Sequence, residues 1–109
     1  MSPKILQINF RLKASTPEYQ ALCESVAQAW ADIPGLHWKI WLLNEAEKEA
    51  GGIYLFEDER ALGAFLSGPL AAQVKSNPAL SDFSAKTFNV MEDVTAKTRG
   101  PVGVAAAAV

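Results

Sequence analysis

Two segments that are apolar on both faces constrain this chain most. Residues 36 to 43, LHWKIWLL, and 51 to 57, GGIYLFE, flank the polar run NEAEKEA. Both read as strands, rich in β-branched and aromatic residues and bounded by Pro-Gly, Asn44 and a double glycine. Successive strand residues point to opposite faces. In the first segment Leu36, Trp38, Ile40 and Leu42 therefore oppose His37, Lys39, Trp41 and Leu43. In the second, Ile53 and Leu55 oppose Tyr54 and Phe56. A sheet built from such strands has two greasy faces, and both need cover.

The rest of the chain supplies cover for one of them. Residues 4 to 13, KILQINFRLK, alternate as a strand, with Leu6, Ile8, Phe10 and Leu12 on one face. Ser15 and Glu18 have capping-box spacing, and Pro17 suits a first helical turn. A helix is expected over 17–32, with Leu22, Val26, Ala29 and Ile33 as its stripe, stopped by Pro34-Gly35. Asp58 is a good N-cap for a second helix, ERALGAFL, and Gly68-Pro69 separates it from a further helical piece, PLAAQVKSN. Residues 82 to 93 read as a fourth strand. The order β-α-β-β-α-β predicts an α+β, ferredoxin-like sandwich: a four-stranded antiparallel sheet with its helices on one side. The other face then requires a partner, and a second copy of the chain is the simplest one. The expectation is a homodimer of a 1–94 domain, with 95–109 a C-terminal arm or disordered tail.

Composition narrows the partners. The net charge of −2 has no basic block behind it, so neither nucleic acid nor anionic membrane is an expected partner. No apolar run approaches the ~20 residues of a membrane span. The N-terminal MSPKILQINF lacks the layout of a signal peptide, so the cytoplasm is the expected location. One cysteine, Cys23, allows no intrachain disulfide and reads as helix packing. One histidine and one cysteine, with no spaced carboxylate cluster, give no metal-ligand set. Gly51-Gly52 precedes a strand rather than a helix, so no phosphate-binding loop is indicated, and no flavin or nicotinamide cofactor is expected. Lys39 and Lys48 are the candidate partners of the acidic run Glu45, Glu47 and Glu49, an exposed pairing worth little.

The run PGLHWKIWLLNEAEKEAGGIYLFEDERALGAFL, Pro34 to Leu66, resembles the YdhR-like mono-oxygenase family. The likeness extends over about residues 4 to 94 through LQINF and AKTFNVMEDV. It implies the dimeric α+β barrel class, in which antibiotic-biosynthesis mono-oxygenases also fall. It further implies O₂ chemistry on a small aromatic or phenolic substrate, without metal or flavin, in a mostly apolar pocket.

The residues suited to such a pocket are few. Asn9 could hydrogen-bond an oxyanion or peroxide, and Tyr54 could donate or relay a proton. Trp38, Trp41, His37 and Phe56 could bind the substrate. Each has a plainer reading. Trp38 and Trp41 have opposite parity and cannot share one pocket unless a bulge intervenes. Tyr54 fits a core position, His37 a strand edge, and Asn9 either solvent or pocket. Haem-degrading relatives use a first-strand Asn, a third-strand Trp and a second-helix His. Asn9 matches the first, Phe56 stands at the second, and residues 58–77 hold no histidine. A non-catalytic, dimeric small-molecule-binding or stress-associated protein is the alternative to an enzyme.

Overall fold

The computed structural model describes residues 2–102. They form β1 (Lys4–Leu12), α1 (Thr16–Ala31), β2 (Leu36–Asn44), β3 (Glu49–Phe56), α2 (Glu59–Leu66), α3 (Pro69–Ser76), β4 (Leu80–Asn89) and α4 (Glu92–Lys97). The four strands make one antiparallel sheet in the order β2-β3-β1-β4. This is the ferredoxin-like arrangement that the element order predicts, and α1, α2 and α3 cover one face.

The helix signals act as written. Ser15 accepts from the Glu18 backbone while Glu18 reaches back to the Ser15 N–H, closing the capping box. Asp58 accepts from the Ala61 N–H at 2.9 Å and starts α2. The apolar stripe of α1 is rotated from the expected one: its buried residues are Tyr19 and Trp30. Tyr19, Cys23, Val26, Trp30 and Ile33 follow a period near 3.6 as well as the expected set does, and the larger side chains win the inward face.

Two buried clusters result. One joins Leu6, Tyr54 and Phe56 to Trp30, Ile33, Leu62, Phe65 and Ala71. The other joins Phe10, Leu12 and Ala50 to Tyr19 and Leu80. Phe56 and Leu6 are wholly buried. Each contributes about 1.5–3 kcal/mol relative to an exposed side chain.

Two irregularities reset the faces. The pairing of β2 with β3 slips between Leu36 and Trp38, so that Leu36 opposite Phe56 packs on the helix side. His37 is taken up in that slip and is exposed. Beyond it Trp38, Ile40 and Leu42 point outward, opposite Leu55, Ile53 and Gly51, while Lys39 and Trp41 point to the helices, opposite Tyr54 and Gly52. A second slip, between Asn9 and Arg11 on the β4 side, goes with Asp82 at φ 55 and a loose Arg11–Asp82 ion pair of 3.9 Å.

The outward face is partly covered by the chain's own end. After β4, the short helix α4 and a turn lead to Pro101, whose carbonyl accepts from the Trp38 indole N–H at 2.8 Å. Val102 and Leu55 are buried. Residues 95–102 are thus a folded arm. Residues 103–109 of the expected tail lie outside the described residues. The rest of this face keeps exposed apolar groups, Ile40 at 51% and Phe88 at 46%.

Gly51 and Gly52 have negative or extended φ, so their role is close approach rather than a left-handed turn. A Cβ on Gly51 would overlap the Ile8 carbonyl oxygen of β1. A Cβ on Gly52 would stand 2.7 Å from Lys39 Cε, a flexible stem. Gly51→Ala is therefore expected to destabilise the protein by at least roughly 2 kcal/mol in urea unfolding, and Gly52→Ala by distinctly less. Equal midpoints for Gly51→Ala and the unmodified protein would contradict this packing.

Candidate functional site

The two buried clusters share no buried residue and are bridged by the partly buried Ile8 and Val74. Between them α1 carries the small or medium side chains Leu22, Cys23 and Val26, and β3 carries Gly52, which has none. A cleft of about 150 Å³ remains between α1, α3 and the sheet. A cavity of that volume holds a molecule about the size of benzene.

Its walls are aromatic. Phe10 and Tyr19 stand at one end, Trp30 and Tyr54 at the other, and Trp41 at the β2 side. Trp30 meets Tyr54 edge-on at a centroid distance of 6.4 Å, and Phe10 meets Tyr19 edge-on at 6.0 Å. Leu70, Gln73, Val74 and Asn77, from α3 and its C-terminal end, close the side opposite α1.

Among the described residues lining the cleft, Lys39 alone carries a formal charge. It does not reach the acidic run: the Arg11–Asp82 pair is the one ion pair among the described residues. Instead its stem lies over Gly52, and its Nζ sits 3.4 Å from the Trp41 ring centroid, 4.5 Å from Trp30 and 4.8 Å from Tyr54. Cation–π contacts of this kind are worth about 0.5–2 kcal/mol each, and they favour the charged amine. Burial acts against them. It pushes the Lys39 ammonium down to about 8, with charge at Cys23 pulling the other way.

The tyrosines are shifted in the opposite sense. Burial first, then Cys23, holds both Tyr19 and Tyr54 well above the ordinary tyrosine value. They stay protonated at any physiological pH and serve as donors, not bases.

The structure brings together two of the expected site residues, Tyr54 and Trp41. Trp38 faces outward, bonded to the arm. His37 is exposed in the β2 slip. Phe56 lies below the cleft, stacked on Tyr54 at 6.1 Å. Asn9 points to the outward face, level with Gly51 and Ser84, where its Oδ1 accepts from Gln7 Nε2 at 3.0 Å. Lys39, Trp30, Tyr19, Phe10 and Cys23 are among the lining residues that sequence reasoning did not select. A signal existed for Lys39: it shares strand parity with Trp41, in a strand apolar on both faces. Among the described residues, no group of three or more His, Cys, Asp or Glu side chains could hold a metal ion, and no helix is long and apolar enough to cross a membrane.

The four-stranded antiparallel sheet with helices on one face places the chain among ferredoxin-like α+β proteins, here with an aromatic-walled cleft between helices and sheet. Within that class, this chain belongs to the family described as "Putative mono-oxygenase ydhR", whose model matches residues 5–101. No curated protein matches it. Among solved structures it is similar to SnoaB, a cofactor-independent oxygenase from Streptomyces nogalater, at 17% identity and TM-score 0.69 over 86% of this chain and 98% of that one. It is also similar to the heme-degrader MhuD from Mycobacterium tuberculosis, at 25% identity and TM-score 0.63 over 82% of this chain and 97% of that one. A dabb family protein with a ferredoxin-like fold from Mesorhizobium loti matches at 18% identity and TM-score 0.65, over 81% and 96%.

The amine's displaced titration has a consequence for stability. Between about pH 8 and the ordinary lysine value of 10.5, the unfolded chain holds a proton that the folded chain has lost. Stability therefore rises with pH across that window through this group. In urea unfolding, the unmodified protein should gain stability relative to Lys39→Met between pH 7.5 and 10, by an amount on the order of 1–3 kcal/mol. Parallel pH profiles for the two proteins would show that Lys39 is not desolvated.

Proposed function

We propose that this protein is a cofactor-independent mono-oxygenase that uses O₂ to oxidise a small, planar, electron-rich aromatic in the cleft between α1, α3 and the sheet. The observation that carries the reading is the cleft itself. It is walled by Phe10, Trp30, Trp41 and Tyr54, is sized for about one ring, and occurs in a chain of a mono-oxygenase family.

The chemistry follows from such a substrate. The substrate, a phenol or its keto tautomer with an activated methylene, enters as its anion with its proton left to solvent water, and the anion passes one electron to O₂. The radical pair joins at carbon and takes a proton to give a hydroperoxide. Loss of water leaves a carbonyl. In sum CH₂ and O₂ become C=O and H₂O, and the substrate supplies every electron. The protein's part is to orient the ring against the aromatic walls and to exclude water. Tyr54, kept protonated by burial, donates a hydrogen bond to the peroxide oxygen, and solvent returns the proton that completes the hydroperoxide.

The haem reading suggested by the likeness to MhuD is not adopted. The helices α2 and α3 hold no histidine, and His37 is exposed outside the cleft.

Assembly is part of the proposal. The outward face, with Ile40, Phe88 and Ile53, packs against the same face of a second copy to form a two-sheet dimer. The support is the exposed apolar area that the C-terminal arm leaves bare.

Oxygen uptake over a panel of hydroxyaromatic compounds tests the activity. Uptake should persist with chelator and without flavin. Tyr54→Phe should lower kcat by about a hundredfold, and Trp41→Ala should mainly raise KM. No uptake across the panel, together with saturable quenching of tryptophan fluorescence, would favour the non-catalytic binder instead. For assembly, sedimentation should give a dimer at micromolar concentration and a monomer for Ile40→Glu. A monomeric unmodified protein would remove the two-sheet arrangement.

A further inference from the structure

We propose that the cleft takes its ligand as an oxyanion, a phenolate or enolate, with the Lys39 ammonium as its counter-charge. The inference deepens the reading above and rests on the same cleft being the substrate site. It starts from a lysine without an anionic partner. Lys39 is the single formal charge on the lining, and no carboxylate among the described residues pairs with it. Three ring faces hold the amine, at 3.4 Å for Trp41, 4.5 Å for Trp30 and 4.8 Å for Tyr54. Rings stabilise a cation but leave its N–H donors without acceptors, and a half-desolvated ammonium in a cleft is a site for an anion.

The backbone is shaped to keep it there. Gly52 lies beneath the stem, and a Cβ at that position would meet Lys39 Cε at 2.7 Å. With the stem seated on a bare backbone, the amine stands among the rings instead of swinging out toward Glu45, Glu47 and Glu49. A planar ligand stacked on the walls would present its oxygen to Nζ. The arrangement rewards an acidic hydroxyl and gives nothing to the corresponding ether, so it selects for ionisable aromatics. It also serves the chemistry, because only the anion of such a compound is electron-rich enough to reduce O₂.

The groups facing Lys39 are few. From α1 come Tyr19, Cys23 and Trp30, from β3 Tyr54, and from α3 and its end the uncharged Gln73 and Asn77. Both tyrosines stay protonated, and the Cys23 thiol is the one other ionisable side chain on the lining.

Binding of 4-nitrophenol and of 4-nitroanisole, followed by tryptophan fluorescence without turnover, tests this. At pH 7.5 the nitrophenol should bind at least about tenfold more tightly than the ether. Lys39→Met and Lys39→Gln should each bring the two affinities together, the ether's own affinity staying within about threefold. On the unmodified protein, nitrophenolate affinity should fall as pH rises above about 8, where the free amine loses its proton, while nitroanisole affinity stays level. Equal binding of phenol and ether by the unmodified protein would overturn the proposal. So would a preference that survives both substitutions, or one that holds unchanged to pH 10. Because the assay reads binding alone, failed oxygen uptake with an intact anion preference would sink the mono-oxygenase reading and leave this one standing. Uptake without anion preference would do the reverse.

Discussion

In the middle of the sheet the Ile8 carbonyl of β1 passes through the space that a Gly51 side chain would fill, and one residue on, the Lys39 stem lies where a Gly52 side chain would begin to crowd it. Two absent side chains on consecutive residues serve opposite faces, because parity alternates along β3. On the outward face the gap lets β1 draw against β3. On the helix face it gives the Lys39 stem a seat on bare backbone at the edge of the cleft. The placement of Lys39 is therefore a property of the backbone before it is a property of the cleft walls.

Around that seat the rest of the site follows by size. Large rings stand on both sides of Gly52, and α1 offers only Leu22, Cys23 and Val26 above it. The aromatic side chains pack into two clusters and cannot close the space between them. A cation enters that space from β2. It is held by ring faces that cost little to desolvate, at the expense of part of its own hydration, and the depressed titration of Lys39 follows from that trade.

Much of this was legible in residues 4–94, and for local reasons. Alternation in KILQINFRLK, the Ser15–Glu18 spacing, Asp58 and the Pro34-Gly35 stop act within a few residues, and each formed as written. Trp38 and Trp41 fall on opposite faces as their parity requires. What was not legible depends on distant partners. The slip at His37 turns Leu36 from the outward face to the helices, and no sequence period announces it. The inward stripe of α1 was set by Tyr19 and Trp30 finding Phe10 and Tyr54, more than a strand away. Lys39 read as one half of a surface pair with the acidic run, because a lysine next to carboxylates in sequence is usually that. Its true neighbours come from α1 and β3. The arm of residues 95–102 carries no periodic pattern at all, yet the Trp38 indole and the burial of Val102 hold it to the sheet.

The charge on the Lys39 amine decides what the cleft can bind, and an NMR titration of Lys39 through its ¹³Cε and ¹⁵Nζ resonances reads that charge directly. The free protein should show a midpoint near 8, and saturating nitrophenolate should move it upward by at least about one unit, since an anion that prefers the ammonium must raise its affinity for the proton. A midpoint at the ordinary lysine value of 10.5, unmoved by ligand, would contradict it.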